Sequence, residues 1–167
     1  MKIFLIGFMG CGKTTMGKKL AKTLEYPVID LDHEIEKVTG MPVSAYFAKE
    51  GEPAFRALES KLLKEFNYPD HCVVATGGGT PCFYDNMEWM TANGTSVYIQ
   101  MPALALAKRL ENGKEKRPLL RDLDEAGIVD FITQKLLERD PFYTKAKVIV
   151  NGLNLSPELL KQAIFQL

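Results

Sequence analysis

The sequence of 167 residues predicts a three-layer α/β/α fold built around a five-stranded parallel sheet. Five short runs rich in β-branched and aromatic residues alternate with longer runs that have helical spacing, as in sheets covered by helices on both faces. Glycine-rich and acidic stretches follow the predicted strands, where ligands bind in such folds. No repeat, low-complexity tract or linker interrupts the chain, so we expect a single domain over residues 1–167.

The first predicted strand, KIFLIG, leads through a glycine-rich loop into the helix KTTMGKKLAKTLEY, in which Met16, Leu20 and Leu24 recur at helical spacing. The other predicted strands are YPVID, HCVVATGGG, TSVYIQM and AKVIVN. Further helices are predicted over residues 32–39, 53–67, 84–92, 103–111, 125–139 and 157–166, and Ser156 followed by Pro157 marks the start of the last one.

Composition and charge argue against several kinds of partner. The chain has 21 Lys+Arg and 21 Asp+Glu residues, so no overall basic charge attracts nucleic acid or an anionic membrane surface. The apolar run after Lys2 is short for a secretion signal and continues into GKTT, and no run reaches the roughly eighteen residues that span a membrane. The three cysteines, without metal-ligand spacing, indicate free thiols in a reducing compartment. We therefore expect a cytoplasmic protein.

Residues 7–14, GFMGCGKT, match the pattern G-x-x-x-x-G-K-[ST] between a predicted strand and a predicted helix. We call these residues the phosphate loop, because glycines there let backbone N–H groups surround phosphate oxygens and the helix N-terminus adds positive charge. A lysine in this pattern bridges the outer phosphates, and the following hydroxyl ligates Mg²⁺. The candidate nucleotide-binding residues here are Gly10, Cys11, Gly12, Lys13, Thr14 and Thr15.

The rest of the sequence limits the classes of nucleotide-binding protein to which the chain could belong. The sequence NKxD, with which GTPases read guanine, does not occur, and the chain is too short for the usual ATPase motors. We therefore expect phosphoryl transfer to a small acceptor, in which the protein positions groups and stabilises charge.

Three arginines indicate that the acceptor is an anion. Arg56, Arg117 and Arg139 lie in segments predicted to face the carboxyl ends of the strands. Guanidinium groups bind carboxylates and phosphates through paired hydrogen bonds. A single arginine of this kind is usually a solvated surface residue, so the interpretation depends on the nearby phosphate loop.

The glycine triplet, Gly77, Gly78 and Gly79, follows the apolar strand VVAT. Three residues without side chains let the backbone approach a ligand closely, although a flexible turn is the simpler interpretation. Phe47 and Phe55 are candidates to pack on a small ring of the acceptor, although core packing is the usual role of phenylalanine.

Taken together, these residues resemble those of the shikimate kinases. The stretches GFMGCGKTTMGKKLA, IDLD, FAKEGEPAFRALE, VVATGGGT, RPLL and ERDPFY occur in that family's order and approximate spacing, over nearly the whole chain. The resemblance implies a P-loop fold like that of the nucleoside monophosphate kinases, with strand order 2-3-1-4-5. It also implies transfer of the γ-phosphoryl group of ATP, the co-substrate, to the 3-hydroxyl of shikimate, with Mg²⁺ as the cofactor.

The resemblance implies roles for the residues on the phosphate side of the site. The residue matching Lys13 contacts the phosphates, and the one matching Thr14 ligates Mg²⁺. Asp30 supports the metal through water, whereas Asp32 holds the substrate hydroxyls and is the candidate base. Because alternate residues of a strand face one side, we expect both carboxylates to point toward the phosphate loop, where Mg²⁺ and nearby cations offset their repulsion.

It also implies roles on the acceptor side. Arg56 and Arg139 match the pair that binds the shikimate carboxylate, and Glu59 matches a residue that orients the first of them. Gly78 and Gly79 match glycines that touch the substrate.

Two further arginines match residues around the nucleotide. Arg117 matches a catalytic arginine on a lid, here residues 112–122, which closes over the phosphates, and residues 32–61 form a second segment expected to move. Arg109 matches an arginine that flanks adenine. Many relatives place another arginine against adenine near the C-terminus, but Asn154 and Leu155 occupy that neighbourhood here.

Two alternatives remain at this stage. A kinase for another small hydroxylated acid, such as gluconate, would also use an arginine pair and a base. A nucleotide-binding module without catalysis would be expected to lack Lys13 or Asp32, and both are present. We expect a monomer whose partners are shikimate and ATP.

Overall fold

The structure is a computed structural model that describes residues 1–112 and 120–166. It contains a five-stranded parallel sheet with strand order β2-β3-β1-β4-β5. This order and the helices around the sheet confirm the predicted fold class. The strands are β1 Lys2–Ile6, β2 Val28–Asp30, β3 Cys72–Ala75, β4 Thr95–Gln100 and β5 Val148–Asn151.

The helices follow the predicted order, with one addition. They are α1 Lys13–Leu24, α2 Leu31–Thr39, α3 Val43–Glu50, α4 Glu52–Glu65, α5 Asn86–Asn93, α6 Ala103–Glu111, α7 Glu125–Tyr143 and α8 Pro157–Phe165, with a short 3₁₀ turn at Thr80–Cys82. Helix α3 was not predicted. Val43, Tyr46 and Phe47 have helical spacing and pack partly buried against the core, but the helix is only eight residues long and has no fully buried residue, so its pattern is short and weak.

Helix α7 is longer than predicted. It continues past residue 139 through Pro141 to Tyr143, where the sequence pattern indicated an earlier end. Tyr143 is fully buried, and its ring centroid lies 4.9 Å from that of Tyr98 on β4. This packing against the sheet accounts for a last helical turn that helix propensity alone disfavours.

The sheet is buried on both faces. Ile3 and Leu5 pack in a cluster with residues of α1 and α8, whereas Phe4 and Ile6 point the other way into a cluster with α2, α4 and α5. This alternation along β1 explains why the strand reads as a continuous apolar run. Among the described helices, none is both long and apolar enough to cross a bilayer.

The strand register places the functional segments at one edge of the sheet. Asp30 at the end of β2 is level with Ala75 at the end of β3, and Ala75 is level with Leu5 of β1. The phosphate loop, the start of α2 and the glycine triplet follow these three strands directly, so they are neighbours.

Candidate active site

The phosphate loop has a backbone that requires glycine. Gly10 and Gly12 have φ angles of +83° and +99°, in a region that L side chains rarely adopt. A Cβ atom on Gly10 would lie 2.9 Å from Cδ2 of Leu110. Helix α1 begins at Lys13, so the unpaired N–H groups of its first turn belong to the end of the loop.

The Lys13 ammonium is held inside the phosphate loop. Its Nζ donates to the carbonyl oxygens of Gly7 at 2.5 Å and Phe8 at 3.0 Å, and lies 3.8 Å from Sγ of Cys11. The residue is only 8% exposed. A cation with so little water around it interacts more strongly with a nearby anion than an exposed one would.

The two aspartates of VIDLD do not lie on one strand, so the expectation that they alternate along it was wrong, although each lines a cavity with Thr14 of the phosphate loop. Strand β2 ends at Asp30 and α2 begins at the next residue, which places Asp32 in the first turn of the helix. Asp30 caps this helix, because its Oδ1 accepts from the backbone N–H of His33 at 3.3 Å. Its other oxygen, Oδ2, accepts a 3.0 Å hydrogen bond from the hydroxyl of Thr14.

The two carboxylates line different cavities as a result. Asp30 and Thr14 line one of about 390 Å³. Asp32 lines a neighbouring cavity of about 480 Å³, formed with Met9, Gly10, Gly12, Lys13, Thr14, Thr15, Thr76, Gly77, Gly78, Arg109 and Leu110.

Asp32 has an environment suited to binding a proton near neutral pH. The pKa of its carboxyl is raised from 3.8 to about 6, mainly by burial and to a smaller extent by the negative charges of Asp30 and Glu59. The positive charge of Lys13 opposes the change. A carboxylate with such a pKa is a suitable general base.

The last two glycines of the triplet each lie against one of the predicted carboxylate-binding arginines. A Cβ atom on Gly79 would be 2.5 Å from Nη2 of Arg56, and one on Gly78 would be 3.3 Å from Nη1 of Arg139 and 3.2 Å from the backbone nitrogen of Met9. The φ angle of Gly79 is −93°, so space rather than backbone conformation requires glycine there. Gly78 thus lies between Arg139 and the phosphate loop, whereas Gly79 lies against Arg56.

Gly77 leaves room for two acidic side chains, as Gly78 and Gly79 leave room for the arginines. A Cβ atom on it would be 3.3 Å from Oδ1 of Asp32 and 3.0 Å from Oε2 of Glu59. Burial raises the pKa of the Glu59 carboxyl, although the positive charge of Arg56 and the hydrogen bonds donated by Thr80 and Arg56 oppose the shift. The first glycine of the triplet therefore leaves room for two partly desolvated carboxyl groups.

Arg56 is held firmly and has spare hydrogen-bonding capacity. Its Nη1 donates to Oε1 of Glu59 at 3.1 Å, and its guanidinium lies 5.1 Å and 4.3 Å from the ring centroids of Phe55 and Phe83. Its Nε is buried and has no hydrogen-bond partner in the described part of the chain. Phe55 is itself buried in the core, 5.6 Å from the ring of Phe47.

The remaining predicted nucleotide contacts lie on the far side of the phosphate loop. Nη1 of Arg109 donates to the carbonyl of Gly10 at 3.4 Å. A cavity of about 380 Å³ on this side is lined by Cys11, Gly12, Thr15, Met16, Lys19, Arg109, Gly152, Asn154 and Leu155. Arg117 and most of the predicted lid, residues 112–122, lie outside the described residues.

Comparison with known proteins identifies the family. The family model described as shikimate kinase matches residues 9–167. The chain belongs to the shikimate kinase family. A shikimate kinase of Parabacteroides distasonis is 47% identical to it over 157 residues, which cover 94% of this chain and 91% of that protein.

Solved structures agree with this family assignment. The shikimate kinase from Bacteroides thetaiotaomicron is 41% identical with a TM-score of 0.89, over 99% of this chain and 95% of that one. The shikimate kinase from Acinetobacter baumannii, solved in complex with shikimate, is 35% identical with a TM-score of 0.86, over 99% and 90% of the two chains. A gluconokinase from Sinorhizobium meliloti shares only the fold, at 17% identity and a TM-score of 0.56.

For this member of the shikimate kinase family, the sequence did not predict the role of Tyr143 at the glycine triplet. The hydroxyl of Tyr143 donates a hydrogen bond to the carbonyl of Gly78. Tyr143 lies four residues after Arg139 in ERDPFY, a spacing that puts the two side chains on one face of a helix. That spacing is the available signal, but the sequence predicts the end of the helix at residue 139, four residues before Tyr143.

Proposed function

We propose that the protein transfers the γ-phosphoryl group of ATP to the 3-hydroxyl of shikimate, giving shikimate 3-phosphate and ADP. The position of Gly78 is the observation that carries this proposal, because a Cβ atom there would be 3.2 Å from Met9 of the phosphate loop and 3.3 Å from Arg139. A phosphate donor and an acceptor bearing a carboxylate would therefore bind side by side. Family membership supports shikimate as the acceptor.

On the donor side, the phosphate loop binds the phosphates of ATP. The backbone N–H groups around Gly10, Cys11 and Gly12 contact phosphate oxygens, and Lys13 turns from its two loop carbonyls toward the outer phosphates. Thr15 and Arg109 line the adjoining cavities and lie alongside the nucleotide.

Thr14 and Asp30 fit Mg²⁺, which prefers oxygen ligands. Their oxygens lie 3.0 Å apart, and the described residues contain no cluster of three or more His, Cys, Asp or Glu that would enclose a metal. A site with so few protein ligands suits an ion that keeps several waters and shares the phosphates, with Asp30 acting through water. When bound, Mg²⁺ neutralises charge that develops on the transferred group.

On the acceptor side, Arg56 and Arg139 bind the carboxylate of shikimate, and Asp32 accepts the proton of the 3-hydroxyl. The oxygen of that hydroxyl forms a bond to the γ-phosphorus while the bond from this phosphorus to the ADP oxygen breaks. Gly78 and Gly79 let the ring approach the backbone, and Glu59 fixes the direction of Arg56.

Other parts of the chain would complete the site. Phe55, which lies beside the Arg56 guanidinium, and Phe47, which packs against Phe55, would offer an apolar surface to the ring of shikimate. Residues 32–61 and the lid at 112–122 move as the site closes and exclude water, which otherwise hydrolyses ATP, and Arg117 then reaches the phosphates.

Residues 1–167 act as a single kinase domain and a monomer. The three free cysteines, two of them buried, suit the cytoplasm.

The direct test is ADP release with MgATP and a panel of acceptors: shikimate, gluconate and nucleoside monophosphates. We expect turnover with shikimate alone. The Lys13→Met variant is expected to lose at least about a hundredfold in turnover, because it removes a phosphate-binding cation. Lys22→Met, near the end of the same helix, is the matched control and should behave like the wild type.

Other results would change the proposal. Turnover with gluconate but not shikimate would assign a different hydroxylated acid. No turnover with any acceptor, together with measurable ATP binding, would favour a nucleotide-binding module without catalysis.

A further inference from the structure

Three buried hydrogen bonds, together with the backbone, form a closed ring next to Arg56. The hydroxyl of Ser60 donates to Oδ1 of Asn86 at 2.6 Å, and Nδ2 of Asn86 donates to the carbonyl oxygen of Thr80 at 2.9 Å. The hydroxyl of Thr80 donates to Oε2 of Glu59 at 2.8 Å. Glu59 and Ser60 are neighbours in α4, so the backbone closes the ring. We call Glu59, Ser60, Thr80 and Asn86 the buried ring.

The buried ring is withdrawn from water. Thr80 and Asn86 are fully buried, and Glu59 and Ser60 are 1% and 7% exposed. A buried polar group that loses its partner costs free energy, because water cannot replace the lost hydrogen bond. The amide of Asn86 has only one orientation that serves both neighbours, since the Thr80 carbonyl can only accept. The ring therefore has one low-energy arrangement.

The buried ring joins two segments that carry the acceptor site. Glu59 and Ser60 belong to α4, which carries Arg56, whereas Thr80 directly follows the glycine triplet. Oε1 of Glu59, the oxygen that the ring leaves free, accepts the hydrogen bond from Nη1 of Arg56 at 3.1 Å. The ring thus fixes both the direction of the guanidinium and its close approach to Gly79.

The hydrogen bond to Glu59 also decides which edge of Arg56 remains for a ligand. With Nη1 engaged, the Nε and Nη2 groups form the other edge of the guanidinium. Nε has no hydrogen-bond partner among the described residues, and Nη2 lies 4.0 Å from Oε2 of the half-exposed Glu52, beyond hydrogen-bond distance. Two N–H groups along one edge match the two oxygens of a carboxylate. If Nη2 instead of Nη1 bound Glu59, a different edge of the guanidinium would face the ligand, and this match would be lost.

We propose that Thr80, Asn86 and Ser60 are positioning residues, which act through Glu59 to hold Arg56 with its Nε–Nη2 edge toward the acceptor carboxylate. None of the three needs to touch the substrate. The identity of the acceptor as shikimate rests on the proposed function. The positioning of Arg56 does not.

The test compares Thr80→Val, which removes the hydroxyl at nearly constant shape, with Thr80→Ser, which retains it. We expect Thr80→Val to raise KM for shikimate about tenfold while kcat and KM for ATP stay within about twofold, and Thr80→Ser to restore KM. Ser60→Ala, one residue further around the ring, should raise KM for shikimate by a smaller factor. The KM of Ser60→Ala also tests the ring independently if Thr80→Val folds poorly.

Ser96→Ala is the matched control for loss of a buried hydroxyl. Ser96 is fully buried at the start of β4, and its hydroxyl lies 3.1 Å from that of Thr91 and accepts from the backbone N–H of Lys147 at 3.0 Å. It should lower stability without changing KM for shikimate. An equal rise of KM in Ser96→Ala and Thr80→Val, or a fall of kcat in Thr80→Val at unchanged KM, would overturn the positioning role.

A second measurement separates this inference from the proposed function. The Nε–H signal of Arg56 in a ¹H–¹⁵N NMR spectrum reports the order of its guanidinium without any substrate. We expect a sharp, slowly exchanging signal in the wild type and Thr80→Ser, and a broadened one in Thr80→Val. If the wild type neither binds nor phosphorylates shikimate, the proposed function fails, and an unchanged Arg56 signal in Thr80→Val would separately overturn the ring.

Discussion

The hydroxyl of Thr14 donates a 3.0 Å hydrogen bond to Oδ2 of Asp30, which joins the first turn of α1 to the end of β2. The other carboxylate oxygen of Asp30 caps α2 by accepting from the N–H of His33. The Asp30 side chain therefore binds the Thr14 hydroxyl and also caps α2. A substitution that preserves the cap but removes the negative charge can separate these two roles.

Asp30→Asn is that substitution. Asparagine caps helices about as well as aspartate, so the fold should be preserved. If Asp30 supports Mg²⁺ as proposed, the loss of its negative charge should weaken use of MgATP about 10–100-fold, measured as a rise in KM for MgATP and in the Mg²⁺ concentration needed for half-maximal rate. Asp70→Asn, just before the amino end of β3 at the opposite edge of the sheet, is the control. A normal Mg²⁺ dependence in Asp30→Asn would show that the carboxylate has no part in metal binding.

Asp32→Asn tests the candidate base. If the carboxylate removes the proton of the acceptor, kcat should fall by about 10²–10⁴. The raised pKa of Asp32, about 6, also predicts that kcat/KM of the wild type for the acceptor falls as pH drops below that value. A fall of kcat by less than about tenfold would make Asp32 a positioning group, since loose phosphoryl-transfer transition states need little help from a base.

The same substitution should stabilise the protein in the absence of ligands. Because the pKa of Asp32 rises from 3.8 to about 6 on folding, the folded state binds more protons in that window, and stability falls as pH rises through it. Above the window the ionised carboxylate costs at most about 3 kcal/mol, by the rule of 1.36 kcal/mol per pKa unit.

Urea denaturation at two pH values measures this effect. Asp32→Asn should be more stable than the wild type by about 1–3 kcal/mol near pH 8, and the difference should shrink toward pH 4. A difference that is the same at both values, or a less stable variant near pH 8, would contradict the raised pKa.

Gly79→Ala tests the contact between the glycine triplet and Arg56. The new Cβ atom would stand 2.5 Å from Nη2 of Arg56, so the guanidinium has to shift from the position in which Glu59 holds it. We expect a folded protein whose KM for shikimate rises about tenfold or more while KM for ATP is unchanged. Gly17→Ala, within α1, is the control, because its Cβ would lie at ordinary contact distances of 3.5 Å or more from Leu5, Ala75 and Val28. Equal kinetics in the two variants would rule out a close packing role for Gly79.

The parts of the site that sequence predicted well are those encoded in contiguous residues. The phosphate loop is fixed by a local pattern, and the structure has the expected strand, loop and helix around Lys13. The order of the strands was predicted from the family resemblance and is confirmed. The roles of the individual site residues stay predictions until the experiments above are done.

The parts that sequence did not predict depend on contacts between distant segments or on weak local patterns. Asp30 satisfies a backbone N–H of α2, so the helix begins one residue after the strand and Asp32 cannot alternate along it. The buried ring joins Ser60 to Asn86, 26 residues away, through polar types that carry no spacing pattern. Only the folded chain brings such residues together.

The central claim is that a phosphoryl group moves from ATP to the 3-hydroxyl of shikimate, and ³¹P NMR of the reaction mixture tests it most directly. With MgATP and shikimate, we predict that the γ-phosphate signal of ATP is replaced by a single phosphomonoester signal, coupled to the proton on carbon 3 of shikimate, in equal amount to ADP. Accumulation of inorganic phosphate without a phosphomonoester, or coupling to a proton on another carbon, would contradict it.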